Sequence, residues 1–389
     1  MNVLKAAKEQ EEYIVALRRD FHTHPEVSWK EYRTSSVVME ELDKTGIPYV
    51  KIGETGVVAT IQGQGPGKAI ALRADLDALP IAELNDDLPY RSQNEGVMHA
   101  CGHDGHTACL LGTARVLHGL REHFNGTVKL FFEPAEEFGG SLHLFEQAGQ
   151  LEGLDGCFAA HLWADMPVGK ISLEAGPKMA GTDLFTLKIT GKGGHASMPH
   201  QGVDAIVVAA SVIQNLQTIV SRELSPLEPC VVTIGKLTAG QRFNAIADTA
   251  ILEGNLRTFN LEIRNEYRNI IERIASNTAK AFRAEAEIVD YTFGTPPVIN
   301  PEEGAAFARQ TAVKLFGEGC LGEMQRVMAG EDFAIFMEKV PGVFAFVGAG
   351  NPDKNCNFPH HHGKFNIDED ALTPTVALYA QYAMDFLAR

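Results

Sequence analysis

The sequence predicts an α/β fold: an outer domain with a mostly parallel central sheet flanked by helices, interrupted by an inserted α+β domain with a four-stranded sheet and two helices. Three observations predict it. Short apolar strands alternate with helical-period segments through the first half of the chain, the mark of a parallel sheet. From about Thr182 the order changes to strand, helix, strand, strand, helix, strand. After Pro296-Pro297 the alternation resumes, with chemistry-bearing residues on both sides of the middle segment. The expected boundaries are 1–181 and 295–389 for the outer domain and 182–294 for the insertion.

Val3 to Asp20 carries Leu4, Ala7, Ile14 and Leu17 at helical spacing, and Glu31 to Lys44 repeats the pattern before Gly46, a C-terminal cap. Both are expected as surface helices. Gly56 to Gln62 and Lys68 to Ala74 are β-branched or apolar and bounded by glycines, so they read as strands. Thr107 to Phe124 is helical in period, Thr127 to Phe132 a strand, Ser141 to Gly149 a helix and Gly156 to Leu162 a strand. The insertion reads as Leu184 to Thr190, helix Val203 to Arg222, Val231 to Leu237, Ala250 to Phe259, helix Ile263 to Phe282 and Ala286 to Thr292. A helix from Glu369 to Leu387 ends the chain.

With 389 residues, 45% hydrophobic and 22% charged, the chain is long enough for more than one core and is not disordered. Its 50 acidic against 34 basic side chains give a net charge of −16, and no run of Lys and Arg offers a local patch, so nucleic acid is excluded as a partner. The longest apolar run, Ala205 to Val212, is far short of the ~20 residues of a membrane span. The N-terminus is charged and amphipathic, without an apolar signal core, which makes the cytoplasm the expected compartment. Six cysteines, dispersed through the chain, read as free thiols, one of them a candidate ligand.

The densest polar segment is His99-Ala-Cys101-Gly-His103-Asp104-Gly-His106. Cys101 and His103, two apart in a glycine-containing loop, can face one way and form a ligand set for zinc or another transition metal. Cys101 as an activated thiolate is the alternative. Glu133, Glu136 and Glu137 follow directly on a strand, where adjacent carboxylates need a cation or a shared proton. The simplest division gives one of the adjacent pair Glu136 and Glu137 to a metal and the other to a metal-bound water. His161 ends another apolar strand, and His360, His361 and His362 lie in a late loop. Together these residues suffice for two metals sharing a bridge. Asp75 and Asp77 share a strand face, so either can orient a ligand histidine. In the insertion, His195 sits in a glycine-rich loop, Asn244 in a turn, and Arg257 at the end of strand residues, suited to grip a carboxylate.

The ordered segments Arg73-Ala-Asp-Leu-Asp-Ala-Leu-Pro80, His99 to His106, Glu133-Pro-Ala-Glu-Glu137, Gly194-His-Ala-Ser197, Gly330-Glu-Asp-Phe333 and His361 four residues before Phe365 resemble the aminoacylase and hippurate hydrolase family. Its relatives include auxin-conjugate hydrolases and N-acetyl-diaminopimelate deacetylases. The resemblance runs from about residue 13 to 388. It implies a dinuclear metal site in a catalytic domain interrupted by a lid or dimerisation domain. By position it implies Cys101, His103, Glu137, His161 and His361 as metal ligands, Glu136 as general base and Asp77 as support. It further implies His195 as the group polarising the scissile carbonyl, sometimes from a partner subunit, and Asn244 and Arg257 as holders of a substrate carboxylate. His360 stands where leucine is frequent, Gly363 where proline is, and Asn244-Ala-Ile-Ala247 where Asn-Val-Ile-Pro is usual.

The expected reaction is hydrolysis of N-acyl amino acids with two divalent ions per subunit, zinc or manganese, with cobalt or nickel also compatible, in a homodimer or higher oligomer. A metallo-dipeptidase or carboxypeptidase and a Cys101 thiol amidase are the competing expectations.

Overall fold

The computed structural model describes residues 2–389, Met1 lying outside them. The chain forms two compact units. One combines the segment ending at Gly176 with Ile299–Gln325 and Asp332–Arg389; the other combines Pro177–Val298 with Arg326–Glu331.

The first unit opens with α1 (Val3–Lys8) and α2 (Glu11–Thr23), two helices where the apolar periodicity predicts one. Periodicity does not register the break: the Gln10 amide closes back onto the Ala7 carbonyl at 3.0 Å, and a new helix starts with Glu11 and Glu12 in its first turn, where carboxylates complement the helix dipole. Nor is α2 a surface helix, because it buries Ile14, Leu17, Arg18, Phe21 and His22. α3 (Tyr32–Thr45) stops at Gly46, whose φ of 69° is the left-handed cap the sequence predicts.

Next come β1 (Tyr49–Ile52), β2 (Gly56–Gln62), β3 (Ala69–Asp75), α4 (His103–Gly119), β4 (Thr127–Glu133), α5 (Leu142–Gln147), β5 (Gly156–Pro167) and β6 (Ile171–Ser172). α4 starts four residues before the predicted Thr107, so His103, Asp104 and His106 form its buried first turn. It is preceded by Gly102 at φ 98°, a conformation that strains any other residue. Almost every side chain of α4 is buried, which makes it a core helix.

The second unit holds β7 (Gly181–Thr190), β8 (Gly194–His195), α6 (Ala205–Leu216), β9 (Cys230–Ala239), β10 (Ala245–Ile246), β11 (Thr249–Thr258), α7 (Leu261–Ala281) and β12 (Glu285–Phe293). Its four-stranded sheet has the order β9-β11-β7-β12, with every pairing antiparallel. β11 alternates strictly: Ala250, Leu252 and Leu256 join α6 (Val208, Ala209, Val212) and α7 (Tyr267, Ile271, Ala275) in one core. Arg257 points to the opposite face, with Thr182 as its cross-strand neighbour. The helical stretch Ala205–Glu223, 19 residues with a mean hydropathy of 1.2, is by length and composition apolar enough to cross a membrane and extends beyond the run read from the sequence. Its stripe Ala205, Val208, Ala209, Val212 and Leu216 serves this core.

The chain then completes the first unit with α8 (Glu302–Phe316), α9 (Phe333–Lys339), β13 (Gly342–Gly350) and α10 (Leu372–Leu387). The seven-stranded sheet runs β1-β2-β4-β3-β5-β13-β6. Its four central strands β4, β3, β5 and β13 are mutually parallel, while β1, β2 and β6 attach antiparallel at the edges. β13 is buried throughout, as a central strand covered on both faces must be. Register sets the site: Asp75 pairs with Glu133 across β3 and β4, and Arg73 with Ala159 across β3 and β5, so His161 comes level with Asp75. The carboxyl ends of these strands therefore deliver both acidic segments and His161 to one rim, where parallel sheets bind ligands.

Candidate metal centre

At this rim Cys101 belongs to two groups of donors. Its sulfur, a nitrogen of His103 and an oxygen of Glu137 lie within 4.8 Å of one another, and the same holds for its sulfur with His161 and His360. Sγ is 3.6 Å from Nε2 of His161. The sulfur is thus common to His103 and Glu137 in one group and to His161 in the other, the placement a shared ligand would need.

The imidazoles are oriented from behind. His103 turns Nδ1 to the Asp77 carbonyl at 2.9 Å and to Asp77 Oδ1 at 3.2 Å, which leaves Nε2 aimed into the cluster. His161 turns Nδ1 to the Leu162 carbonyl at 3.0 Å and so also presents Nε2. Burial, reinforced by His106 and His360, holds His161 well below the ordinary histidine range, in the neutral form that ligates. Burial would raise Asp77, but the hydrogen bond and charge of His103 and the hydroxyl of Ser28 hold it low.

Asp77 does a second job. Its Oδ1 accepts the Glu136 amide and its Oδ2 the Glu137 amide, each at 3.1 Å, so one carboxylate aligns both the His103 ring and the two glutamates. The residue before them, Ala135, has φ 57°, a conformation that costs a non-glycine residue about 1–3 kcal/mol. Glu31, which the sequence did not single out, accepts the Ala135 amide at 2.9 Å and holds this strained turn. Glu136 itself accepts the Asp332 amide at 3.4 Å and stands 4.0 Å from His103 Nε2.

Three histidines of the two motifs behave differently. His106 accepts the Leu162 amide on Nε2 at 2.9 Å and meets Asp75 through Nδ1 at 2.7 Å, so both nitrogens are occupied. His99 is fully buried, lowered to about 4 by that burial, and joins none of the donor groups. His361 is in neither Cys101 group, but its Nε2 lies 3.1 Å from Oε1 of Glu137, a member of one of them. Its φ of 63° is again left-handed, and its amide is tied to the Ala100 carbonyl at 2.8 Å.

Below the rim lies a charge network that sequence spacing did not reveal. Arg73 bonds Asp75 at 2.8 Å, Glu133 at 2.6 Å and Asp332 at 2.7 Å, all buried. An arginine inside an apolar strand was the available signal. Arg18 and His22 of α2 similarly bond Asp104 at 2.8 and 2.7 Å, so Asp104 is a buried anchor.

In the second unit His195 is exposed in the short strand β8, paired with Ala245 beside Asn244. Its Nδ1 accepts the Ser197 amide at 3.2 Å and lies 2.7 Å from the Ser197 hydroxyl, which puts the proton of the neutral ring on Nε2. Asn244 is exposed. Arg257 is half-buried, with one nitrogen donating to the Met328 carbonyl at 2.9 Å.

The donors fit a cation. Nε2 of His103 is buried without a hydrogen-bond partner, and Glu137 Oε1 faces His361 without the alignment of a hydrogen bond. An orphaned buried polar atom costs about 1–3 kcal/mol, which a coordinated ion removes. Burial, with the charges of Glu137 and Glu136, pushes the Cys101 thiol well above its ordinary value, so a thiolate there calls for positive charge close by.

The chain is 40% identical over 369 residues to an N-acetyl-L-cysteine deacetylase of Bacillus subtilis (strain 168), covering 93% of this chain and 85% of that protein. It is 36% identical over 385 residues to thermostable carboxypeptidase 1 of Saccharolobus solfataricus, covering 97% and 96%. Its fold superposes with a TM-score of 0.86, at 35% identity and 98% and 99% coverage, on a Bacillus subtilis protein described as a dinuclear metal binding peptidase from the M20 family. Residues 71–385, which hold every ligand candidate of the rim, match one family along their whole length, and the chain belongs to Peptidase family M20/M25/M40.

Proposed function

We propose that this protein is a metal-dependent amidohydrolase that cleaves N-acyl amino acids to a carboxylic acid and a free amino acid. The observation that carries the reading is the Cys101 sulfur, grouped with His103 and Glu137 and also with His161, beside an orphaned His103 nitrogen. Cys101, His103, Glu137, His161 and His361 would hold two divalent ions: the thiolate and imidazoles suit zinc, the carboxylate admits manganese, and cobalt or nickel are compatible. When bound, such ions supply the positive charge that acidifies a water molecule and polarises an amide carbonyl.

The residues of the chain do the rest. Glu136 removes a proton from the attacking water and returns it to the leaving amine, the work of a general base that then becomes a general acid. Asp77 keeps Glu136, Glu137 and His103 in register through its contacts with the two glutamate amides and the His103 ring. His195, with its proton on Nε2, donates a hydrogen bond to the developing oxyanion. Arg257 and Asn244 hold the α-carboxylate, which orients the scissile bond before attack. A homodimer in the cytoplasm completes the proposal; the six free cysteines suit a reducing compartment.

The carboxypeptidase relative favours a second reading, because release of a C-terminal amino acid places the same carboxylate on the same side of the amide. A substrate panel separates the two. Primary-amine release from N-acetyl and N-benzoyl amino acids should exceed that from dipeptides in kcat/KM. Preference for dipeptides would move the protein to the peptidase reading.

A further inference from the structure

The ring of His360 meets the Cys101 sulfur in a defined tautomer. The Ala164 amide donates to Nε2 at 3.3 Å, so Nε2 carries no proton, and in the neutral ring the proton is on Nδ1. Nδ1 lies 3.8 Å from Sγ, within reach of an N–H···S hydrogen bond. Packing fixes the ring in this pose: Trp163 lies against its face at 4.3 Å between centroids, Phe365 at 4.9 Å, and His161 meets it edge-on at 5.2 Å.

We propose that His360 is a positioning residue for the shared sulfur: it donates a hydrogen bond from Nδ1 to the Cys101 thiolate, is not itself a ligand, and sets how strongly that sulfur donates to the metal ions. The inference rests on the reading of Cys101 as the bridging ligand. To ligate through Nδ1, His360 would have to give up the Nδ1 proton; to ligate through Nε2 it would have to give up the Ala164 bond and leave a buried amide unpaired. A hydrogen-bond donor to a ligand adjusts both its orientation and its donor strength, and such outer contacts govern metal properties nearly as much as the ligands.

The test is the absorption spectrum of the cobalt-loaded full chain. A hydrogen bond stabilises the sulfur lone pair, so its removal lowers the energy of sulfur-to-cobalt charge transfer. His360→Leu and His360→Met should move that near-ultraviolet band to longer wavelength, with cobalt content and the visible ligand-field bands unchanged. His360→Asn, which keeps an N–H donor close to the Nδ1 position, should return the band toward its original place. A band that stays put in both donor-less variants overturns the proposal. Loss of one cobalt, or a change in the ligand-field bands, also overturns it by making His360 a ligand. A folded, cobalt-loaded wild-type protein with no sulfur band would instead overturn the reading of Cys101 itself.

Discussion

Glu136→Gln should lower kcat on N-acyl amino acids by about 10²–10⁴-fold or more while leaving the bound metal unchanged. The two halves of this expectation come from different contacts. The backbone amide of Glu136 is held by Asp77 and its side chain accepts the Asp332 amide, contacts a glutamine of the same shape can keep. Its carboxylate stands 4.0 Å from the nearest ring nitrogen of His103, outside the donor groups that contain Cys101. What glutamine cannot do is take a proton from water. Metal analysis beside steady-state kinetics checks both halves, and turnover close to wild type would remove Glu136 from the base role.

Arg73→Met should destabilise the first unit by about 3–5 kcal/mol, the cost of removing one partner from a buried ion network. The guanidinium is 2% exposed and reaches three carboxylates through three different nitrogens. Burial alone would raise Asp75, but His103, His106 and Arg73 hold it well below the ordinary carboxylate range. Methionine fills similar volume, so the loss reports charge compensation more than a cavity. Both tryptophans, Trp29 and Trp163, belong to the first unit, so urea unfolding followed by their fluorescence reads this unit selectively. A loss below about 1 kcal/mol would mean that the three carboxylates do not depend on this cation.

The two networks mark where sequence reasoning reached and where it stopped. Cys101 and His103 were legible because a two-residue spacing in a glycine-containing loop converges donors, and Glu136 and Glu137 because an acidic pair at a strand end needs compensation. The parallel core was legible in the alternation of apolar strands and helices. Tautomers were not: His106 looks like a ligand in the motif, and only the Leu162 amide on its Nε2 shows that it is already satisfied. The histidine triplet was equally opaque, since the family resemblance selects His361 by its offset to Phe365 but says nothing of the Ala164 amide that turns His360 toward the sulfur. Nor does periodicity register a helix break at Gln10, or the long-range partners that make Arg18, Glu31 and Arg73 buried anchors. Those depend on residues tens to hundreds of positions apart, which local spacing does not encode.

The central claim is that two ions at the Cys101 rim drive amide hydrolysis. The most direct measurement strips the protein with a chelator and titrates manganese or zinc back while following amine release from an N-acetyl amino acid. The account predicts that activity vanishes on stripping and returns along a curve that breaks at two ions per chain. Release that survives stripping but is abolished by alkylation of Cys101 would contradict it and leave a thiol amidase in its place.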